Sequence, residues 1–314
     1  MSPVPQLAIV APCFNEEAAL KDSLEKLHIK MDALIAKGMI SESSYLLVVD
    51  DGSRDASFTI LQAAAGGKTK VLKLAGNVGH QRALLAGMHW VTDKCDVMIS
   101  LDIDLQDDLD TLDKMLDEYV KGNQIVYGVR DNRDADSWFK KNSALVFYRL
   151  MQTMGVGLIY NHADFRLLSN TVLREFGRYR EVNLFLRGIF PMMGFPNAKV
   201  FYQRHERTAG ESKYPLRKML HLAMDGITSF SNRPLKWISF IGLVIFIISL
   251  ILSGWVLWVV VTGRSVPGWA SITLPIYFIG GIQLLSLGII GEYVSKIYLE
   301  SKQRPQYHIE KVLE

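Results

Sequence analysis

The chain has 314 residues, of which 49% are hydrophobic, and its formal net charge is only +3. This length fits one large domain with a membrane anchor, or two modest domains. The two cysteines, Cys13 and Cys95, form no CxxC pair and are too few for a disulfide framework, which excludes a disulfide-rich secreted scaffold. No signal segment with a basic start and a long apolar stretch begins the chain, so we expect the N-terminal part to stay in the cytosol.

Short apolar strands alternate with amphipathic helices along the N-terminal part. The predicted strands cover residues 7–11, 45–49, 70–74, 97–101 and 124–128, and the predicted helices begin at Asn15 and cover 81–90 and 109–119. This alternation predicts an α/β fold, a mostly parallel sheet covered by helices. Ligands of such sheets bind at the carboxyl ends of the strands.

Polar residues follow the predicted strands at the edge where ligands bind. They are Asn15, Asp50, Asp51, Asp102, Asp104 and Arg130. Asp102 and Asp104 are separated by one residue, and two like charges held this close repel. A divalent cation would relieve the repulsion, and carboxylates with substrate phosphates are what Mg²⁺ or Mn²⁺ binds. We therefore predict a metal site here, with an acidic loop that holds no metal as the alternative.

Two further patterns follow strands. In the run Asp50-Asp51-Gly52-Ser53, the carboxylates can accept hydrogen bonds from a base or ribose, and the alternative is that Ser53 caps a helix. Residues 11–16 read as a strand, a tight turn and a helix start.

The C-terminal part contains two long uncharged runs, residues 237–261 and 272–291. Each is long enough to cross a bilayer as a helix. A pair of buried core helices is the alternative, although core helices usually carry a polar stripe over such lengths. We predict two transmembrane helices, at about 237–261 and 272–294.

The charges around these runs predict a topology. Basic residues flank the pair on both outer sides: Arg233, Lys236, Lys296, Lys302 and Arg304. The connecting loop carries only Arg264. The positive-inside rule therefore places the N-terminal part and both ends of the chain in the cytoplasm, with two membrane spans.

The segment before the first span is rich in basic residues. Residues 207–214 combine Arg207 and Lys213 around a glycine and suit a phosphate group, with a snorkelling collar as the alternative. Because this segment leads into a span, we expect anionic lipid headgroups as its partner and no nucleic acid. The amphipathic stretches 138–160 and 215–230 either pack on the domain or lie in the membrane interface.

Taken in order, these motifs resemble the family-2 glycosyltransferases of the dolichol-phosphate-mannose synthase type. They are most similar to bacterial bactoprenol (undecaprenyl-phosphate) glucosyltransferases with two C-terminal membrane helices. The resemblance covers nearly the whole chain and rests on residues 15–16, 50–53, 77–81, 102–107, 128–130, 164–167, 185–188, 207–214 and 291–293. It implies a GT-A fold at 1–214, a juxtamembrane amphipathic helix at 215–234, membrane helices within 235–298 and a cytoplasmic tail at 299–314.

The resemblance also implies roles for individual residues. Donor-nucleotide contacts fall to Pro12, Phe14, Glu16, Val48, Asp50, Asp102 and Ile103. Metal and diphosphate contacts fall to Asp102, Asp104 and Gln106, and phosphate contacts to Arg130, Arg207 and Lys213. The catalytic residues would be Asp164, the candidate base, with Asp104 and Arg130. The implied reaction inverts the sugar, uses a UDP-sugar and a polyprenyl phosphate, and runs in a homo-oligomer, with a tetramer as one form.

Two alternatives differ in what they would do. A processive polysaccharide synthase shares the catalytic core but carries a QxxRW motif, which this sequence lacks. A non-catalytic nucleotide-sugar-binding membrane protein would not need the intact acidic and basic motifs. The sugar is not readable from the sequence: glucose is the first expectation, and N-acetylglucosamine, galactose and an aminoarabinose derivative stay open.

Overall fold

The computed structural model describes residues 4–131, 159, 161–181, 185–203, 233–262 and 269–314. The chain divides into two compact units. The first comprises residues 1–148, 157–213 and 303–314, and the second comprises 149–156 and 214–302. The predicted amphipathic stretches 138–160 and 215–234 lie almost entirely outside the described residues.

Strands and helices alternate in the first unit, as predicted. Its strands are β1 (Leu7–Cys13), β2 (Tyr45–Asp50), β3 (Thr69–Leu74), β4 (Val97–Ser100), β5 (Ile125–Arg130), β6 (His162–Ser169), β7 (Asn197–Tyr202) and β8 (Ile309–Leu313). Its helices are α1 (Glu17–Ala36), α2 (Ser57–Ala64), α3 (His80–Val91), α4 (Thr111–Val120), α5 (Asn170–Phe176) and α6 (Leu186–Met192).

The strands form one sheet in the order β7-β5-β6-β4-β1-β2-β3-β8. Strands β1 to β4 are parallel to one another, and β7 is parallel to β5. β6 runs antiparallel between β4 and β5, and β8 runs antiparallel to β3 at the edge. The predicted α/β fold with a mostly parallel sheet is therefore confirmed, while the two antiparallel strands had no signal in the local pattern.

The central strands are buried on both faces. Every residue of β1 and β2 is buried, because helices cover the sheet from both sides. Leu27 of α1 and Met115 of α4 belong to the same core cluster as Ile9. On the opposite face α3 approaches very closely at Gly87, where a Cβ atom would lie 2.4 Å from Cγ1 of Val10. Strand β1 is thus fixed with its carboxyl end at the edge where the functional residues lie.

The C-terminal segment after Lys302 returns to the sheet of the first unit. The Ala75 amide donates to the carbonyl of His308 at 2.9 Å, and Lys73 lies 2.9 Å from Glu310. Tyr307 Oη lies 2.8 Å from Nδ1 of His89. The sequence analysis treated 299–314 as a simple tail and missed this strand.

The second unit contains two long helices, α7 (Arg233–Val261) and α8 (Trp269–Lys302). Both predicted spans fall within these helices. By length and composition, one segment of the described chain, Phe278–Lys302, could cross a membrane. The helical nature of both segments agrees with the sequence analysis, and the two-span hairpin stays a prediction.

Candidate active site at the carboxyl ends of the central strands

The turns after β1 and β2 hold each other through side chains. The Asn15 amide donates to Oγ of Ser53 at 3.1 Å, and Oδ1 of Asn15 accepts from the Arg54 amide at 2.8 Å. Ser53 therefore fixes the turn after β1 and does not cap α2, which begins at Ser57. This interlock leaves Phe14 exposed at the edge of the sheet, with an exposed fraction of 40%.

Asp51 and Gly52 fix the loop that precedes α3. The carboxylate of Asp51 accepts from the amides of Val78 at 2.7 Å and Gly79 at 2.9 Å. Gly52 has a φ of +68°, and a Cβ atom there would lie 2.7 Å from the carbonyl carbon of Gly76. Asp51 is thus occupied by the protein backbone and is not available to a ligand.

Asp50 differs from Asp51, because one of its carboxylate oxygens accepts no hydrogen bond from the described residues. The side chain is fully buried, and Oδ1 accepts from the Ser53 amide at 3.3 Å. Among the described residues, Oδ2 has no hydrogen-bond partner. Burial raises the pKa of this carboxyl, although hydrogen bonds from Ser53 oppose the shift. A buried carboxylate oxygen without a donor is costly, so Asp50 suits a ligand N–H or O–H.

Three other residues predicted to contact a donor are buried. Val48 lies in the middle of β2 with no exposed surface, and Ile103 is 4% exposed; both belong to the hydrophobic core. Pro12 is buried near the end of β1. The structure therefore turns the side chains of Val48 and Ile103 to the core, whereas Glu16 is half-buried beside the exposed Phe14.

The acidic loop after β4 carries the predicted metal site. Asp102 and Asp104 are both partly exposed, while Gln106 is buried. Burial raises the pKa of Asp102, and the charges of Asp107, Asp164 and Asp104 add to the rise against the opposing effect of His80. Such a concentration of negative charge suits a cation.

The side chains available as metal ligands indicate how an ion would be held here. The described residues contain no group of three histidine, cysteine or acidic side chains that could hold an ion alone. Mg²⁺ and Mn²⁺ are often held by one or two carboxylates with substrate phosphates and water. Asp102 and Asp104 fit that mode of binding, which depends on the substrate.

Asp164 lies on β6 at the centre of a cluster of charged groups. Nη2 of the fully buried Arg166 donates to its Oδ1 at 2.5 Å, and Nη2 of Arg187 donates to its Oδ2 at 3.0 Å. Nε2 of His80 lies 3.5 Å from Oδ1 of Asp102 and 3.7 Å from Oδ2 of Asp164. The cluster thus joins the acidic loop after β4 to the antiparallel strand β6.

The electrostatics of this cluster keep Asp164 ionised. Burial alone would raise the pKa of Asp164, but the positive charges of Arg187 and Arg166 outweigh it and hold that pKa well below its usual range. The sequence analysis gave a role to Asp164 but none to His80, Arg166 or Arg187. The available signal was the spacing of Asp164 and Arg166, which places them on the same face of a strand.

Of the three predicted phosphate-binding residues, the structure describes only Arg130. Arg130 ends β5, and its Nη2 lies 3.6 Å from Oδ1 of Asp107, a residue to which the sequence analysis gave no role. Arg207 and Lys213 lie outside the described residues. The structure therefore brings Asp50, Asp102, Asp104 and Asp164 to one end of the sheet together with Arg130.

The fold and the site define a class of enzyme. An α/β domain with carboxylates at the ends of β2 and β4, and with basic side chains beside them, is suited to binding a phosphorylated nucleotide and a metal. Residues 8–177 match the family described as glycosyl transferase family 2. Since the match covers more than half of the chain, the protein belongs to this family, and the α/β domain is of the GT-A type.

Curated relatives extend the similarity over nearly the full length. The glycosyltransferase YkoT of Bacillus subtilis is 48% identical over 98% of this chain and 91% of its own. The prophage bactoprenol glucosyl transferase homolog of Escherichia coli is 34% identical over 98% of this chain and 99% of its own. The bactoprenol glucosyl transferase of Shigella phage SfX is 35% identical over 97% and 98%. The resemblance seen in the motifs is thereby confirmed.

Solved structures are more distant. The mannosyltransferase PcManGT from Pyrobaculum calidifontis, in complex with GDP-Man and Mn²⁺, is 15% identical. The match covers 95% of this chain and 86% of that one, with a TM-score of 0.46. This distance is too great for a functional conclusion.

Proposed function

We propose that the protein transfers a sugar from a UDP-sugar to undecaprenyl phosphate, with inversion at the anomeric carbon, and that the sugar is glucose. The observation that carries the proposal is the cluster at the carboxyl ends of β2 and β4 and the amino end of the antiparallel strand β6, where Asp50, Asp102 and Asp164 lie at the same end of the sheet as Arg130. The names of the Escherichia coli and phage SfX relatives support the polyprenyl acceptor and the glucosyl group.

The donor nucleotide would bind at the turns after β1 and β2. Oδ2 of Asp50 would accept a hydrogen bond from an N–H of the uracil base, since it lacks a partner among the described residues. Phe14 offers an exposed ring for contact with the base, and Glu16 lies beside it. Pro12, Val48 and Ile103 would contribute through their backbone, because their side chains are buried.

A Mg²⁺ or Mn²⁺ ion fits the acidic loop. Asp102 and Asp104 would hold it, with Gln106 as a further contact. When bound, the ion neutralises the negative charge that develops on the departing nucleotide diphosphate.

Asp164 would orient the reacting groups. The acceptor phosphate is already anionic near neutral pH, so its oxygen can attack without a strong base. Two arginines hold Asp164 ionised and fixed in position, which is what an orienting group requires. Arg130, with Arg207 and Lys213, would bind phosphate groups.

The apolar helices would anchor the enzyme beside its lipid substrate. Phe240, Ile251, Trp258, Leu284 and Leu287 each expose more than 60% of their surface. Exposure of so many large apolar side chains favours a lipid environment. We propose spans at about 237–261 and 272–294, with residues 1–236 and the C-terminal segment in the cytoplasm.

A labelling experiment tests this topology. A cysteine at Ser265 should react with an impermeant thiol reagent in intact cells, and one at Ser301 should react only after lysis. The opposite pattern would refute the arrangement.

The reaction is tested with purified protein, undecaprenyl phosphate, Mg²⁺ or Mn²⁺, and UDP-glucose, UDP-N-acetylglucosamine or UDP-galactose. We expect a single sugar to be transferred to the lipid, with UDP-glucose used best. Growth of a longer polymer would identify a processive synthase instead. Binding of the nucleotide-sugar without any transfer would identify a non-catalytic binding protein.

A further inference from the structure

A tyrosine hydroxyl bridges Arg130 and Asp107 at the edge of the proposed site. Oη of Tyr202 donates to Oδ1 of Asp107 at 2.7 Å and accepts from Nε of Arg130 at 3.2 Å. Tyr202 is 3% exposed and Asp107 6% exposed, whereas the side chain of Arg130 is 27% exposed. The buried side chains of Tyr202 and Asp107 therefore contact one edge of the Arg130 guanidinium, and the rest of the Arg130 side chain is partly exposed.

The contact joins three different parts of the fold. Asp107 belongs to the loop after β4 that also carries Asp102 and Asp104. Arg130 and Tyr202 end the parallel strands β5 and β7, where they are register partners. The Asp131 amide also donates to the carbonyl of Tyr202 at 2.9 Å. The position of Arg130 relative to the acidic loop is thus set by Tyr202 and Asp107.

The contacts with described residues use only part of the Arg130 guanidinium. Within the described part of the chain, the side-chain contacts of Arg130 use Nε and Nη2. A guanidinium binds a phosphate with two parallel hydrogen bonds, which requires a fixed orientation of its plane. An arginine on a flexible stem holds that orientation only when other groups restrain it.

We propose that Tyr202 and Asp107 are positioning residues that orient the Arg130 guanidinium toward a phosphate group of the substrates. This rests on the proposed function, in which Arg130 binds such a group. The phosphate belongs either to the donor diphosphate or to the lipid acceptor, and the experiment distinguishes these two sources.

The test compares Tyr202→Phe with a matched control, Tyr45→Phe. Tyr202→Phe removes the hydroxyl but keeps the ring, which packs edge-to-face on Phe165 at 5.3 Å. Tyr45 is a buried tyrosine at the start of β2, at the opposite end of the sheet, and its hydroxyl donates to the Lys94 carbonyl at 3.3 Å. Both variants lose one buried hydroxyl, but Tyr202→Phe should lower the melting temperature more, because its hydroxyl has two partners and one of them is a buried carboxylate.

Only Tyr202→Phe should change the kinetics. We expect kcat/KM to fall about 10- to 100-fold, as for a displaced positioning group. A higher KM for undecaprenyl phosphate would assign the phosphate to the acceptor, and a higher KM for UDP-glucose would assign it to the donor.

A double-mutant cycle shows whether Tyr202 acts through Arg130. In an Arg130→Ala background, Tyr202→Phe should cause no further loss. The proposal is overturned if the loss is equally large in both backgrounds, or if Tyr202→Phe lowers only the melting temperature.

Binding measurements separate this proposal from the proposed reaction. If the wild-type protein transfers no sugar, the reaction is wrong, and calorimetry with farnesyl phosphate and with UDP plus Mg²⁺ still tests the positioning. Weaker binding of either probe by both Tyr202→Phe and Arg130→Ala would support it. Unchanged binding of both probes by Tyr202→Phe would overturn it.

Discussion

Arg187, in the first turn of helix α6, donates a hydrogen bond of 3.0 Å from Nη2 to Oδ2 of Asp164 on strand β6. Together with Arg166 on the other oxygen, it keeps the pKa of Asp164 well below its usual range, although burial acts in the opposite direction. A carboxylate held in this state is a weak base, and its position is fixed by the two arginines. In the proposed function, Arg187 thus lets Asp164 orient the reacting groups without taking up a proton.

Asp164→Asn should therefore lower both turnover and stability. Removing the carboxylate leaves the fully buried Arg166 without this counter-charge, and breaking a buried pair costs about 3 kcal/mol. We expect turnover to fall about 100-fold or more, measured with the lipid acceptor, and a lower melting temperature. Asp164→Asn/Arg166→Met should recover stability but not turnover. A single variant as stable as the wild type would contradict the buried-pair interpretation.

Asp104→Asn should abolish the metal-dependent reaction while the fold is kept. The substitution removes one charge from a partly exposed side chain, so we expect turnover to fall by about three orders of magnitude with little change in melting temperature. Asp110→Asn is the control, because Asp110 is an exposed acid nearby that pairs with Lys30 instead. Full activity of Asp104→Asn, or of the wild type in excess chelator, would exclude a metal at this loop.

Gly52→Ala should destabilise the protein more than Gly38→Ala, although the two glycines have nearly the same backbone conformation. Gly38 has nearly the same φ, +67°, but a Cβ atom there would meet nothing within 4 Å. Gly38→Ala should cost about 1 kcal/mol from backbone strain alone. Gly52→Ala adds a clash with the backbone of Gly76, so it should cost more and raise the KM for the UDP-sugar. Equal losses of stability in thermal unfolding would show that the loop yields easily.

His162 should make the protein less stable in mild acid. Its side chain is 5% exposed, and burial, with the charge of Arg166, lowers its pKa to about 3. As pH falls below about 6.5, His162 is protonated in the unfolded chain but stays neutral in the folded protein. The free energy of unfolding should therefore fall by about 1.4 kcal/mol per pH unit from this group, down to about pH 3.

Urea unfolding at pH 7.5 and pH 5 measures this effect, with His162→Gln as the comparison. The wild type should lose about 2 kcal/mol more than the variant between the two pH values. Identical losses would mean that His162 becomes protonated in the folded state.

The sequence by itself determined the alternation of strands and helices in the first unit and the acidic residues that follow β2 and β4. These features are local, since apolar periodicity and turn residues act over a few neighbouring positions. The same local logic predicted the helices α7 and α8. It also placed Asp102 and Asp104 together, because only one residue separates them in the chain.

The tertiary structure alone decided which of these residues meet. His80 lies between Asp102 and Asp164 only because β6 runs antiparallel between β4 and β5, and strand order is not written in local periodicity. Asp51 and Asp50 look equivalent in the sequence, yet Asp51 is taken by the amides of Val78 and Gly79. The pairing of β8 with β3 likewise depends on backbone hydrogen bonds between distant segments, which any edge strand could have offered.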